Sequence, residues 1–370
     1  MTIALLPEGL RDRLPPDADT AAGILRSALD AVAAHGYERV APPLAEFEEA
    51  LVGRLKSASA RDLLRVVDPV SQRTLALRPD ITTQVGRIAA TRMAHRPRPL
   101  RLSYGGPVVK LRATQLRPER EMTQLGAELI GTDAAAAAAE IVAVAIDALT
   151  AAGATGITVD LTLPDLVDTL AAGPLPLDAG RIEQVRASLD AKDAGALAAI
   201  GASAYLPLIE AAGALPAALG RLRAFDVAGV LASRLAGLEQ IVHRIGRQAA
   251  VTLDPTERHG FEYQSWFGFS LFVAGLPGEI GRGGAYTILH GDGREEPAVG
   301  FSIYPDPLVD LLGPAEPRRR LFLPLGHDPG RATEFRGAGW VTIAALDAGC
   351  TPEAHGCTHR LESGYPVPVI

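Results

Sequence analysis

The chain has 370 residues, 48% of them hydrophobic, and carries 36 Lys and Arg against 43 Asp and Glu, a formal net charge of −7 with a pI near 5.7. That length accommodates one large domain plus a small one with ample buried core. The acidic balance argues against a surface built to grip a nucleic-acid backbone, although a local basic patch can exist on an acidic protein.

The start, MTIALLPEGLRDR, places a proline and charges where the apolar core of a signal peptide would lie, so a cytoplasmic protein is expected. Thr20–His35 reads as a helix, followed by a strand in GYERVAPPLAE (Gly36–Glu46). In LALRPDITTQVGRI (Leu75–Ile88), Arg78-Pro79 stops a strand, because a residue before proline avoids helical geometry and proline suits a first helical turn. Asp80 and Thr82 then sit at a helix mouth. Asp80 has two readings there: a cap for free N–H groups, or a carboxylate that also meets a ligand ammonium beside the Thr82 hydroxyl.

Arg98–Gly131 reads as a strand, a charged loop and a second strand. Gln124 and Glu128 lie on one face of that second strand, in company with Met122 and Gly126. The pattern suits a small polar pocket in a sheet, and equally an exposed amphipathic strand. Ala134–Leu149 is too short and too charged, with Glu140 and Asp147, to span a membrane; it reads as a helix with Thr132 or Asp133 as N-cap. From about Pro164 to Gly246, DLVDTLAAG, RIEQVRASLDA and VAGVLASRLAGLEQIVHRI repeat helical spacing and suggest an insertion between two halves of a core. Arg247–Leu312 returns as strands, so residues 1–313 are expected to form one domain.

The tail, 316–370, has strands in RRLFLPLG and GWVTIAAL but roughly half a usual domain's length. Arg318–Arg320 and Arg331 read as solvated charges. Cys350 and Cys357 lie near His355 and His359, yet C-x6-C is not the usual zinc spacing; ordinary reduced cysteines are expected, with no metal. Lysine is confined to Lys56, Lys110 and Lys192 among abundant Arg and Ala, which reads as coding bias.

Seven segments, in order, resemble the histidyl-tRNA synthetase family of class II synthetases, and more closely its non-catalytic branch, the regulatory subunits of ATP phosphoribosyltransferase. LPEGLRDRLP (Leu6–Pro15) resembles the family's opening motif, and GYERVAPPLAE its dimer-forming motif 1. LRPDIT (Leu77–Thr82) and QLGAELIG (Gln124–Gly131) resemble two walls of the histidine pocket. GFEYQS (Gly260–Ser265), GGAY (Gly283–Tyr286) and PAVGFSI (Pro297–Ile303) resemble G-L-D-Y-Y-T, G-G-R-Y and the start of motif 3. The resemblance implies an α+β fold, a mainly antiparallel sheet flanked by helices. The tail would be a short α/β remnant of the anticodon-binding domain.

The departures concern ATP. Activation of an amino acid stabilises phosphate charge best with bidentate arginines. In GPVVKLR (Gly106–Arg112), Lys110 stands where motif 2 has arginine, a point charge in place of a fork, and Arg112 replaces a glutamate. His259 replaces the arginine before G-L-D-Y-Y-T, Ala285 the arginine of G-G-R-Y, and Pro307, in YPDP, the motif 3 arginine. The amino-acid pocket is better kept. Asp80, Thr82 and Gln124 match residues that hold the α-amino group; Glu128, Tyr263 and Tyr286 match those around the imidazole. Gln264 in place of a second tyrosine, and Asp80 in place of glutamate, alter its shape.

The resemblance therefore implies a non-catalytic subunit without a cofactor. It would bind and activate a short-form ATP phosphoribosyltransferase catalytic subunit, transmit feedback inhibition by L-histidine, and form a homodimer through the region around Pro42–Pro43, with neither tRNA nor membrane as partner. Two alternatives stay open: an active synthetase, and a scaffold whose pocket is a fossil.

Overall fold

The computed structural model describes residues 6–51, 63–112, 118–258, 264–314 and 318–369. They fall into two compact units, Met1–Gly313 and Pro314–Ile370.

In the first unit, α1 (Asp17–Ala34) buries Ile24, Ala28, Leu29 and Val32, a helical stripe facing the core. It begins a turn earlier than the hydrophobic spacing suggests, because Pro16 takes the cap position and Asp17 and Asp19 suit the positive end of the helix. Then come β1 (Glu38–Arg39), β2 (Ala45–Phe47), α2 (Glu48–Leu51), β3 (Leu64–Val67), β4 (Thr74–Leu77), α3 (Thr82–Ala90), β5 (Leu100–Val109) and β6 (Glu121–Ile130). Next is α4 (Ala135–Ala151), buried nearly all round and packed against α1. Its N-cap is Ala134, without a side-chain cap; Thr132 instead accepts the Ala134 N–H one step outside. Burial of this apolar helix outweighs the missing cap, which is normally worth about 1 kcal/mol.

After β7 (Ile157–Thr162), the segment expected as an insertion holds α5 (Leu166–Ala171), α6 (Ala179–Asp190), α7 (Ala194–Ala199), α8 (Pro207–Glu210), α9 (Leu215–Phe225) and α10 (Ala232–Ile245). It is helical except for β8 (Gly213–Ala214), which joins the edge of the main sheet. The unit closes with β9 (Ala250–Leu253), β10 (Gln264–Val273), β11 (Gly281–Leu289), β12 (Glu295–Ile303) and α11 (Asp306–Leu312).

Among the described residues, nine strands form the main sheet in the order β1-β5-β6-β12-β11-β10-β7-β9-β8. From β5 through β7 every neighbouring pair is antiparallel. One face packs on α1, α4 and α10 in the large apolar core; the other carries a smaller cluster with α3, including Ile81, Val85, Tyr104 and Tyr286. The functional residues lie on that second face. A separate sheet, β2-β4-β3, leads into α3.

The second unit has β13 (Arg320–Leu323), α12 (Pro329–Gly337), β14 (Val341–Ala344), β15 (His359–Glu362) and β16 (Tyr365–Pro368) in the sheet order β14-β13-β15-β16. Cys357 is buried beside Phe322, and Cys350 is a free thiol partly exposed near them. No three His, Cys, Asp or Glu side chains gather for a metal among the described residues. Nor, among those residues, is any helix long and apolar enough to cross a membrane.

Candidate functional site: a polar cavity on the open face of the sheet

The site grows from the hairpin β5–β6. Antiparallel register sets Tyr104 opposite Gly126 and Leu102 opposite Glu128, and period-two alternation puts Tyr104, Gln124 and Glu128 on the α3 side. All three are buried, so this is a pocket wall and not an exposed amphipathic strand. Gly126 makes room: a Cβ there would stand 2.4 Å from the Tyr104 hydroxyl.

Glu128 is the centre. Its Oε1 accepts from the Tyr104 hydroxyl at 3.0 Å and its Oε2 from the Tyr286 hydroxyl on β11 at 2.7 Å. Burial pushes the Glu128 carboxyl up to about 8, although the two phenols pull the other way. Burial also holds the Tyr104 phenol well above its ordinary value. At neutral pH Glu128 therefore lies near its own titration point, able to accept a hydrogen bond or to offer a proton.

The second wall comes from the β4–α3 corner. Arg78, buried at the end of β4, donates to the carbonyls of Pro42 and Pro107 and so ties that corner to β5. Burial lowers its pKa, yet the guanidinium is held by backbone carbonyls. Asp80 Oδ1 accepts the Thr82 N–H at 2.7 Å, as a residue at a helix mouth does, and the side chain lines the cavity. The Thr82 hydroxyl lies 3.0 Å from the Tyr104 hydroxyl.

Gln124 sits behind this wall. Its amide nitrogen donates to Asp80 Oδ2 at 2.7 Å and to Ser302 Oγ at 2.8 Å, and its oxygen accepts the Ile81 N–H at 2.9 Å. It is fully buried and does not line the cavity, so it acts by holding Asp80 in place.

The result is a cavity of about 60 Å³ lined by Asp80, Thr82, Glu128, Arg282, Tyr286, Ser302 and Tyr304, with Gly283, Gly284 and Gly300 among its surfaces. It joins two carboxylates, a guanidinium and several hydroxyls in a space of a few water volumes. Tyr263 and His259 lie outside the described residues. Tyr104, Ser302 and Arg282 were not singled out in the sequence: Tyr104 lies in an apolar-looking strand, and only the register with β6 reveals its direction.

The positions that depart from the ATP-binding pattern scatter. The Lys110 ammonium stands 5.6 Å from the Tyr304 ring centroid at the end of β5, while Arg112 is exposed. Ala285 is buried in the large core on the helical side of the sheet, facing away from Tyr286. Pro307 is exposed in the first turn of α11, where proline costs no hydrogen bond. Beside it, Asp306 accepts from Arg13 at 2.8 Å and from the Thr123 N–H at 2.7 Å, pinning this turn to β6 and the N-terminal segment.

Residues 9–308 match the family model described as Histidyl-tRNA synthetase. The fold is thus that of the class II histidyl-tRNA synthetase type. The ATP phosphoribosyltransferase regulatory subunit of Paramagnetospirillum magneticum is 42% identical over 368 residues, covering 97% of this chain and 96% of that one. The protein of the same name from Rhodospirillum centenum is 43% identical over 373 residues, covering 98% and 96%. A crystal structure of an ATP phosphoribosyltransferase regulatory subunit/histidyl-tRNA synthetase from Bacillus halodurans superposes with a TM-score of 0.81 at 25% identity, covering 96% of each chain. The chain belongs to the ATP phosphoribosyltransferase regulatory subunit family.

Proposed function

We propose that this chain is the non-catalytic regulatory subunit of a hetero-oligomeric ATP phosphoribosyltransferase in histidine biosynthesis. It binds L-histidine as an effector, activates a separate short catalytic subunit and transmits feedback inhibition to it. The observation that carries this reading is the Tyr104–Glu128–Tyr286 triad beside Asp80 and Thr82. A carboxyl and a phenol suit the two ring nitrogens of an imidazole, and Asp80, held by Gln124, suits an ammonium group. The cavity stays polar, while Lys110, Ala285 and Pro307 stand where the family pattern has arginines and supply no guanidinium fork for a transferring phosphate.

The effector couples to activity only if it binds one state of the complex better than another, by roughly 1–3 kcal/mol. No cofactor is needed for that role. β1 is an edge strand of the main sheet, which fits a homodimer through the neighbouring Pro42–Pro43 region. The second unit is best read as a reduced anticodon-binding remnant that leaves tRNA unread, and the free thiols Cys350 and Cys357 suit a reducing cytoplasm.

The test is phosphoribosyl-ATP synthesis by the organism's catalytic subunit, with and without this chain, across a histidine titration. Activity that depends on the chain and falls with histidine supports the proposal. An unchanged rate and unchanged inhibition, or histidine-dependent ATP–pyrophosphate exchange by the chain alone, defeats it.

A further inference from the structure

We propose that Arg282 reads the α-carboxylate of the amino-acid ligand; the assignment rests on the histidine reading of the cavity. A zwitterionic amino acid brings an anion as well as a cation into a space already walled by the carboxyl groups of Asp80 and Glu128. Asp80, and Glu128 whenever it is ionised, repel a further carboxylate unless a cation stands in the wall. Among the described residues lining the cavity, Arg282 is the basic one.

Its placement fits the role. Arg282 and Tyr286 lie four residues apart on β11 and so share a face. Their Cα atoms are separated by roughly 13 Å of strand, enough for an amino acid to lie between the two side chains. Arg282 is paired in register with Ser302, whose hydroxyl contacts Gln124 and Tyr104. The guanidinium is oriented: Nε and Nη2 donate to Glu279 Oε1 and Oε2, each at 2.8 Å, and Ser270 donates to Glu279 Oε2 at 2.8 Å. This two-point pairing fixes the plane of the fork. A rival anion site, the start of α3, already spends the Ile81 and Thr82 N–H groups on Gln124 and Asp80.

The experiment is calorimetric titration of the full chain with L-histidine and with L-histidinol, in which an alcohol replaces the carboxylate. The wild type is expected to prefer histidine by at least about tenfold, the scale of a charge-assisted hydrogen bond. Arg282→Gln should abolish that preference while leaving histidinol affinity nearly unchanged, which also shows that the variant is folded. Arg282→Lys, keeping the charge without the fork, should fall between.

Equal weakening of both ligands by Arg282→Gln, or a preserved preference for histidine in either variant, overturns the assignment. If Arg282→Gln does not fold, the same criterion is applied to Arg282→Lys. A wild type that binds neither ligand removes the histidine reading itself, and this assignment with it.

Discussion

Glu128 and Gly300 face each other across β6 and β12, and a Cβ on Gly300 would stand 1.6 Å from Glu128 Oε2. The glycine is the space in which the carboxylate meets Tyr286. Gly300→Ala should therefore displace Glu128, cost about 1–3 kcal/mol of stability, as overpacking does, and weaken histidine binding. A melting curve and a calorimetric titration of the variant check this; unchanged values in both would show that the carboxylate has another place to go.

Glu128 also makes stability depend on pH. An unfolded glutamate loses its proton near 4.5, whereas the folded one keeps it up to about 8. Between those values the folded state binds more protons, so this group lowers stability as pH rises, by up to about 1.4 kcal/mol per unit. Glu128→Gln removes that slope while preserving shape. Denaturant titrations from pH 5 to pH 8 (about the two ends of the window) should show the variant gaining on the wild type as pH increases. Parallel curves would place the titration elsewhere.

Tyr286→Phe deletes a hydroxyl that donates to Glu128 at 2.7 Å and leaves the ring in its apolar cluster. Histidine affinity should fall about tenfold, the scale of one buried hydrogen bond, with little loss of fold. Calorimetry alongside circular dichroism separates the two.

Away from the cavity, Arg98 pairs with buried Glu296 at 2.6 Å, also donates to the Ala89 carbonyl at the end of α3, and shares Glu296 with His290. Burial pushes Glu296 up, but Arg98 and His290 outweigh it and hold the carboxyl below its ordinary range. Arg98→Ala leaves that buried carboxylate with His290 alone and should cost up to about 3–5 kcal/mol. Arg96→Ala, whose partner Glu38 is exposed, should leave the melting temperature nearly unchanged. Similar melting temperatures for the two variants would sink this distinction.

Much of this was legible in the chain. Alternation in QLGAELIG marked a strand face carrying Gln124 and Glu128, and the Arg-Pro-Asp corner a strand stop before a helix, because period-two strands and proline stops are local properties; that the two segments wall one pocket was implied by the family resemblance. The α4 cap was misjudged: Thr132 and Asp133 are good cap residues, but burial of the alanine-rich face set the boundary at Ala134. Gln124 was legible as a pocket residue but not as one standing behind Asp80, since depth within a wall is set by the elements that cover it.

By itself the sequence determined the family-like motif order, the strands and helices of the core, and the chemical types that could meet a histidine. Local propensity and side-chain periodicity suffice for the strands and helices, and the family resemblance implied the rest. Tertiary structure alone decided that Tyr104 and Tyr286 clasp Glu128, that Gly300 leaves room for it, that Ala285 faces the opposite core, and that Arg282 joins the cavity wall. Those relationships join residues up to about two hundred positions apart, and only strand register and burial bring them within reach of one another.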